Sequence, residues 1–213
     1  CIVQSHAFSL LLDMLGTDSK AHFSEPGLVA VKNVSSIANQ WTSEQRQKAF
    51  SFVRTHATDS VSSAQCHYRI MAALIPFIET SPEEEAQMIS TMVTQQRLHS
   101  SVKVQEEALW ALIAFCKKRV ENKELLLSSS VIEWCLHLMV QHNDLVALQS
   151  VVTSLLLELS DNPYALQQME SPLDGVRTGV DLLKSTLQRH SGNAIITQNC
   201  QLLLSSLVIH SHN

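Results

Sequence analysis

Glycine and proline are scarce, with five of each in 213 residues. A many-stranded sandwich or barrel needs a turn every ~8–12 residues, and the residues that make such turns are missing. The same shortage removes phosphate-cradling loops, since neither GxGxxG nor GxxxxGKS/T occurs. Aromatic residues are 5% of the chain, while Leu, Ala, Gln, Glu and Ser are abundant, a balance that favours helix over strand. No run approaches the ~18 consecutive apolar residues that a membrane-spanning helix requires. With 45% hydrophobic and 16% charged residues, the chain reads as globular with a substantial core, and its class as all-α.

Positive charge is also in short supply. Fifteen Lys and Arg stand against twenty Asp and Glu, a formal charge of -5. The one basic cluster, Lys117-Lys118-Arg119 with Lys123, is interleaved with Glu121 and Glu124 and reads as a solvated helix end. Between Glu124 and Val176 there is no Lys or Arg at all. Direct nucleic-acid binding, which needs a basic stripe, is not expected.

The five cysteines (Cys1, Cys66, Cys116, Cys135, Cys200) are odd in number, widely spaced and without a CxxC. Thiols inside apolar helical stretches behave as small hydrophobes, which points to a reducing compartment, cytoplasmic or nuclear. The chain opens on Cys1 with no leader pattern, and it is expected to be a piece of a longer protein.

Apolar residues recur at i, i+3, i+4 and i+7 nearly throughout. The pattern predicts helices over Ile2–Leu15, Pro26–Gln40 and from Thr42-Ser43-Glu44 toward His56, with Ser43 as N-cap and no full capping box. The next runs from Asp59 or Ser60 to Ile78, with Pro76 expected to kink or end it. Ser81-Pro82-Glu83-Glu84 is a strong start for a helix reaching Gln96. Further helices are read at Val102–Lys118, Asn122–Leu127, Val131–Val140, Asp144–Leu159, after Pro163, Leu173–Arg189 and Ala194–Ile209, about twelve in all. Links are short, so residues 1–213 are expected to form a single helical domain.

Internal periodicity follows. Residues 104–139, VQEEALWALIAFCKKRVENKELLLSSSVIEWCLHLM, read as a long helix, a short helix opened by Asn122, a Ser128–Ser130 turn and a third helix. Some forty residues on, 147–183 repeat that order with Asn162 in the place of Asn122. This pattern resembles an armadillo repeat, with two-helix HEAT repeats the close alternative. The resemblance implies a right-handed α-solenoid of about four to five repeats whose third helices line a concave groove. Stacked units bury one another's apolar sides and leave an extended surface.

Catalytic and metal chemistry find no pattern. Cys66-His67 with His56 lacks a second pair at zinc spacing, and His137 and His142 are five apart rather than four. There is no GxSxG elbow, and Glu106-Glu107 point about 100° apart on a helix. No cofactor and no enzyme activity are expected. Within the resemblance, Trp110 matches the third-helix Trp of peptide-holding armadillo proteins. The Asn that clamps peptide backbone four residues later is Ala114 here, and counterparts in the other units are Ile70 and Leu74, Thr153 and Leu157, Leu202 and Ser206. The clamping ladder is therefore absent. The expected groove is largely apolar and mildly acidic, formed by His67, Ile70, Glu106, Glu107, Trp110, Gln149, Thr153, Leu157 and Asn199, with Trp110 equally readable as core. Its partner would be a protein or peptide with an apolar stripe and a basic flank. The alternative is an assembly segment that associates through its ends.

Overall fold

The computed structural model describes residues 31, 41–55, 61–96, 101–173 and 175–211. The expected helices at Ile2–Leu15 and Pro26–Gln40, and Cys1, lie outside the described residues apart from Val31. What is described is helical and without strands. Ten α-helices follow one another: α1 Ser43–Thr55, α2 Val61–Leu74, α3 Pro82–Gln96, α4 Val102–Lys118, α5 Val120–Ser128, α6 Val131–Gln141, α7 Val146–Leu159, α8 Pro163–Glu170, α9 Gly179–Arg189 and α10 Ala194–His210. A 3₁₀ turn, Ile75–Phe77, lies between α2 and α3.

Local chemistry sets the starts. Thr42 and Gln45 exchange hydrogen bonds between side chain and backbone at 3.0 and 3.2 Å, a full capping box one residue ahead of the expected Ser43 cap. Ser81 and Glu84 do the same for α3, and Thr178 and Asp181 for α9. Asn162 and Asn193 cap α8 and α10 by accepting from Tyr164 and Ile196 backbone N–H groups. Pro76 ends α2 as a regular helix: α2 stops at Leu74 and the proline sits in the 3₁₀ turn. The expected helix from Leu173 instead begins at Gly179. Residues 171–173 and 175–178 form an irregular link in which Gly175 has a φ of +78°. At Gly179 a side chain would bring its Cβ within 2.7 Å of the Met169 carbonyl oxygen, so α8 and α9 meet closely only without one.

The elements group into stacked units. The last two are α5–α6–α7 and α8–α9–α10, each a short helix, a medium one and a long one. Before them the 3₁₀ turn takes the place of the short helix, followed by α3 and α4, and α1–α2 close the described series. The long helices α2, α4, α7 and α10 pack side by side in one layer, each against the next. Leu109, Leu112, Leu155, Leu156 and Leu203 belong to one continuous core shared between units.

A carboxylate lies inside that core. Glu85, in the first turn of α3, is completely buried. Lys118 Nζ at 2.7 Å, Arg119 Nε at 3.2 Å and the Thr80 hydroxyl, which donates, meet one oxygen, and Asn122 Nδ2 donates to the other at 2.7 Å. Arg119 further reaches the Thr80 carbonyl, and Asn122 the Phe115 carbonyl at 3.0 Å. These bonds draw Asn122 into the interior, so it does not open α5 as expected; the helix begins earlier, at Val120. Burial by itself would push the Glu85 pKa up. The hydrogen bonds from Lys118, Thr80 and Asn122 and the Lys118 charge outweigh it and hold the carboxyl below its usual value.

Cys66, Cys116, Cys135 and Cys200 are free thiols and buried. Burial pushes Cys116 up to about 12 and Cys200 to about 11, and raises Cys135 as well. In a Cys1→Ser variant, titration with a thiol reagent at pH 8 should leave these four unreacted until denaturant is added; fast labelling of the native protein would contradict the packing.

Glu85→Ala should cost about 3–5 kcal/mol in denaturant-unfolding stability at neutral pH, because it strands Lys118 and Asn122. Since folding lowers the Glu85 pKa, its contribution is complete above the unfolded-state value and disappears as pH falls through the folded one. The stability gap between wild type and Glu85→Gln should accordingly narrow in acid, and a gap that widens there would refute the sign.

Candidate functional site

The layer formed by α2, α4, α7 and α10 carries the residues read as a groove, and their placement depends on which side of each helix faces outward. Trp110, on α4, is 42% exposed, so it belongs to the surface and not to the core. On the same side of α4 are exposed Lys103 and Lys117 and half-buried Glu106 and Glu107. Glu107 Oε1 accepts from Arg69 of α2 at 3.0 Å, an ion pair across two units. Burial, and then the neighbouring Glu107 charge, raise the pKa of Glu106. Lys117 reaches Glu158 of α7 at 3.2 Å, a second bridge across the layer.

Four of the expected groove residues are not on the surface. Ile70, Gln149 and Thr153 are fully buried, and Asn199 nearly so. Gln149 Nε2 donates to the Met139 and His142 carbonyls at 3.3 and 2.9 Å, and its Oε1 accepts from Thr186 of α9. Asn199 Nδ2 donates to the hydroxyls of Thr153 and Ser154 at 3.3 and 2.9 Å. These side chains join the last two units internally. For Ile70, Gln149 and Thr153 the reason is register. The long helices start at Val61, Val102, Val146 and Ala194, so the interval grows along the chain from 41 to 44 to 48 residues. Counted from those starts, the counterparts of Trp110 on α2 and α7 are Arg69 and Ser154, and the one-residue slip to Ile70 and Thr153 turns a side chain through ~100°, from surface to core.

His67 is half-buried, its ring edge-on to Tyr68 with centroids 5.2 Å apart, and Leu157 is half-buried on α7. The outward side of α7 is formed by Val146, Ala147, Ser150, Ser154, Leu157 and Glu158, and that of α2 includes Arg69, Ala72 and Ala73. On this side Trp110 and Leu157 sit among paired charges and serine hydroxyls as well as the small apolar side chains of Ala72, Ala73 and Ala147. Sequence reading missed Arg69 and Ser154 among the outward residues of this layer. The helical period around Arg69, with apolar Tyr68, Ile70 and Met71 beside it, carried the signal for the first.

Chemically the layer offers an exposed indole, two carboxylates with one bound by Arg69, and hydroxyls. Among the described residues no group of three or more His, Cys, Asp or Glu side chains could hold a metal ion. No helix among them is long and apolar enough to cross a membrane.

No family model matches the chain, and no curated protein matches it. Solved structures do. A designed armadillo repeat protein, YIII(Dq)4CqI, superposes with a TM-score of 0.69 at 16% identity, covering 97% of this chain and 84% of that one. A designed armadillo repeat protein in complex with the peptide (KR)4 gives 0.67 at 17% identity over 97% and 84% of the two chains. A crystal structure of computationally designed armadillo repeat proteins for modular peptide recognition gives 0.68 at 17% identity, over 96% and 83%. These superpositions span nearly the whole chain, and the fold is an armadillo-type α-solenoid.

Proposed function

We propose that this chain, as one continuous domain over residues 1–213, is a non-catalytic docking scaffold for a protein or peptide segment. The segment would lie along the long-helix layer, the layer that is concave in armadillo solenoids. The observation that carries the reading is Trp110, exposed in the middle of that layer and framed by Glu106, Glu107 and Leu157. An exposed indole beside carboxylates suits a partner that brings apolar side chains and a basic flank. The armadillo neighbours designed for peptide recognition, one of them holding (KR)4, support the same use of the fold.

Ala114 stands where a backbone-clamping Asn would be, so recognition here rests on side chains and surface shape rather than on a ladder of amides. A cytoplasmic or nuclear protein partner fits the four reduced, buried thiols. No catalytic step and no cofactor enter this reading.

A labelled amphipathic peptide with Leu at helical spacing and a terminal Lys-Arg flank, titrated by fluorescence anisotropy, tests it. Trp110→Ala and Glu107→Lys should each weaken binding at least tenfold, about 1.4 kcal/mol or more. Unfolding midpoints should change little, because the Arg69–Glu107 pair is exposed on the Arg side and worth ~0–1 kcal/mol. Wild-type affinity in both variants would remove the proposal.

A second reading has its own observation. Ile195, Leu202 and Ile209 are exposed on α10 at seven-residue spacing, an apolar stripe along the outermost helix of the described stack. It favours self-association through this last helix. Size-exclusion chromatography with light scattering separates the two. A concentration-independent monomer supports the groove, whereas an oligomer that dissociates on Ile195→Ser with Ile209→Ser selects assembly.

A further inference from the structure

Away from the long-helix layer, two notches open at corresponding places, each where the second helix of one unit meets the first helix of the next. The first, about 420 Å³, lies between α3 and α5, with Pro82, Glu83 and Ala86 on one wall and Glu121, Glu124 and Leu125 on the other. The second, about 210 Å³, lies between α6 and the end of α8, with Ser130, Glu133 and Leu136 facing Gln168, Pro172 and Leu173. Both combine aliphatic walls with a carboxylate rim, and no Lys or Arg lines either one.

Three further observations set these notches apart from ordinary surface. Asp144, Glu158 and Asp161, acidic residues of the same half of the chain, are bound by Arg189, Lys117 and Lys123. Glu83, Glu121, Glu124 and Glu133 take part in no ion pair among the described residues, a state they share with Glu79 and Glu106 elsewhere, and all four cluster on the notch rims. Leu125 is exposed in the first notch. In the second, Gln168 Oε1 is a buried acceptor with no hydrogen-bond partner. Positive helix ends account locally for Glu83, Glu121 and Glu133, each in a first turn. They do not account for Glu124, for the exposed leucine or for the unpaired amide oxygen.

We infer that the two notches form a docking ridge for one extended, arginine-bearing peptide segment, separate from the long-helix layer. A guanidinium is planar with five donors and weakly hydrated. In the second notch it can give one N–H to the Glu133 carboxylate and, once the half-buried Gln168 side chain turns outward, another to its Oε1, while its methylene stem covers Leu136 and Leu173. In the first, Glu83, Glu121 and Glu124 supply the charge, and Leu125 with Ala86 takes an aliphatic neighbour. Because the notches recur one unit apart, a single extended strand of alternating basic and aliphatic residues can engage both, and the second contact adds by proximity to the first.

The probe is a fluorescein-labelled peptide of alternating Arg and Leu, titrated into the full chain by anisotropy at low salt. Glu83→Gln with Glu124→Gln should weaken binding about tenfold, and Glu133→Gln with Gln168→Leu about as much. Glu44→Gln with Asp144→Asn, which removes the same charge elsewhere, should leave affinity within about twofold, as should Trp110→Ala. Circular dichroism melts verify that each variant is folded. An absence of wild-type binding, equal losses in the remote-charge variant, or a loss confined to Trp110→Ala would each overturn the ridge. The last outcome would leave the long-helix reading standing, and a loss confined to the notch variants would do the reverse for that peptide.

Discussion

The buried carboxylate of Glu85 is the interaction on which the arrangement of the described units depends. A charge taken out of water is tolerated only if its partners are all in place, and here they come from three different elements: Thr80 ahead of α3, Lys118 and Arg119 at the end of α4, and Asn122 inside α5. A shift of α4 along α3 by one turn would leave the carboxylate unpaired in the core, at a cost that apolar contacts could not offset. Leucine against leucine tolerates sliding, and an ion with four donors does not. The junction between one unit and the next is fixed by this contact, and with it the direction in which α4 presents its outer side.

A second set of buried polar groups does for the last junction what Glu85 does for the earlier one. Gln149 ties the end of α6 to α7 and reaches Thr186 of α9, while Asn199 of α10 grips the hydroxyls of α7. His190 donates to the Asn143 carbonyl at 2.7 Å across the same junction. The polar residues of the long helices therefore divide into two populations. Those that fix spacing, Gln149, Thr153 and Asn199, point inward and are hydrogen-bonded within the core, and those left outside, with Trp110 among them, stand where another molecule can meet them. Function in such a fold belongs to the second population, and only the register of each helix decides membership.

Much of the fold was legible because it rests on local rules. α3, α4 and the end of α7 fall where period, proline and capping residues put them, and Pro76 acts as a helix terminator. Where local rules competed, the reading slipped. Thr42 and Ser43 are both good caps, and the reciprocal bond with Gln45 chose between them. The link before Gly179 looked helical because Leu173, Val176 and Val180 keep an apolar rhythm, but Gly175 at positive φ and the Thr178–Asp181 box break it. Asn122 and Asn162 look alike in sequence; one caps a helix and the other serves a buried carboxylate. The candidate site was less legible than the fold, since the repeat lengthens along the chain and an error of a single residue exchanges Ser154 for Thr153.

The ion pairs that join units, Arg69–Glu107, Lys117–Glu158, Lys123–Asp161 and Arg189–Asp144, each reach only to the adjacent unit. A body held together in this way is a spring. A strain applied at one end is passed on by small changes of angle at each successive junction, and its total curvature is the sum of those angles. A partner that pulls the outer rim together and one that draws the inner face together would thus act against each other along the whole length without ever touching.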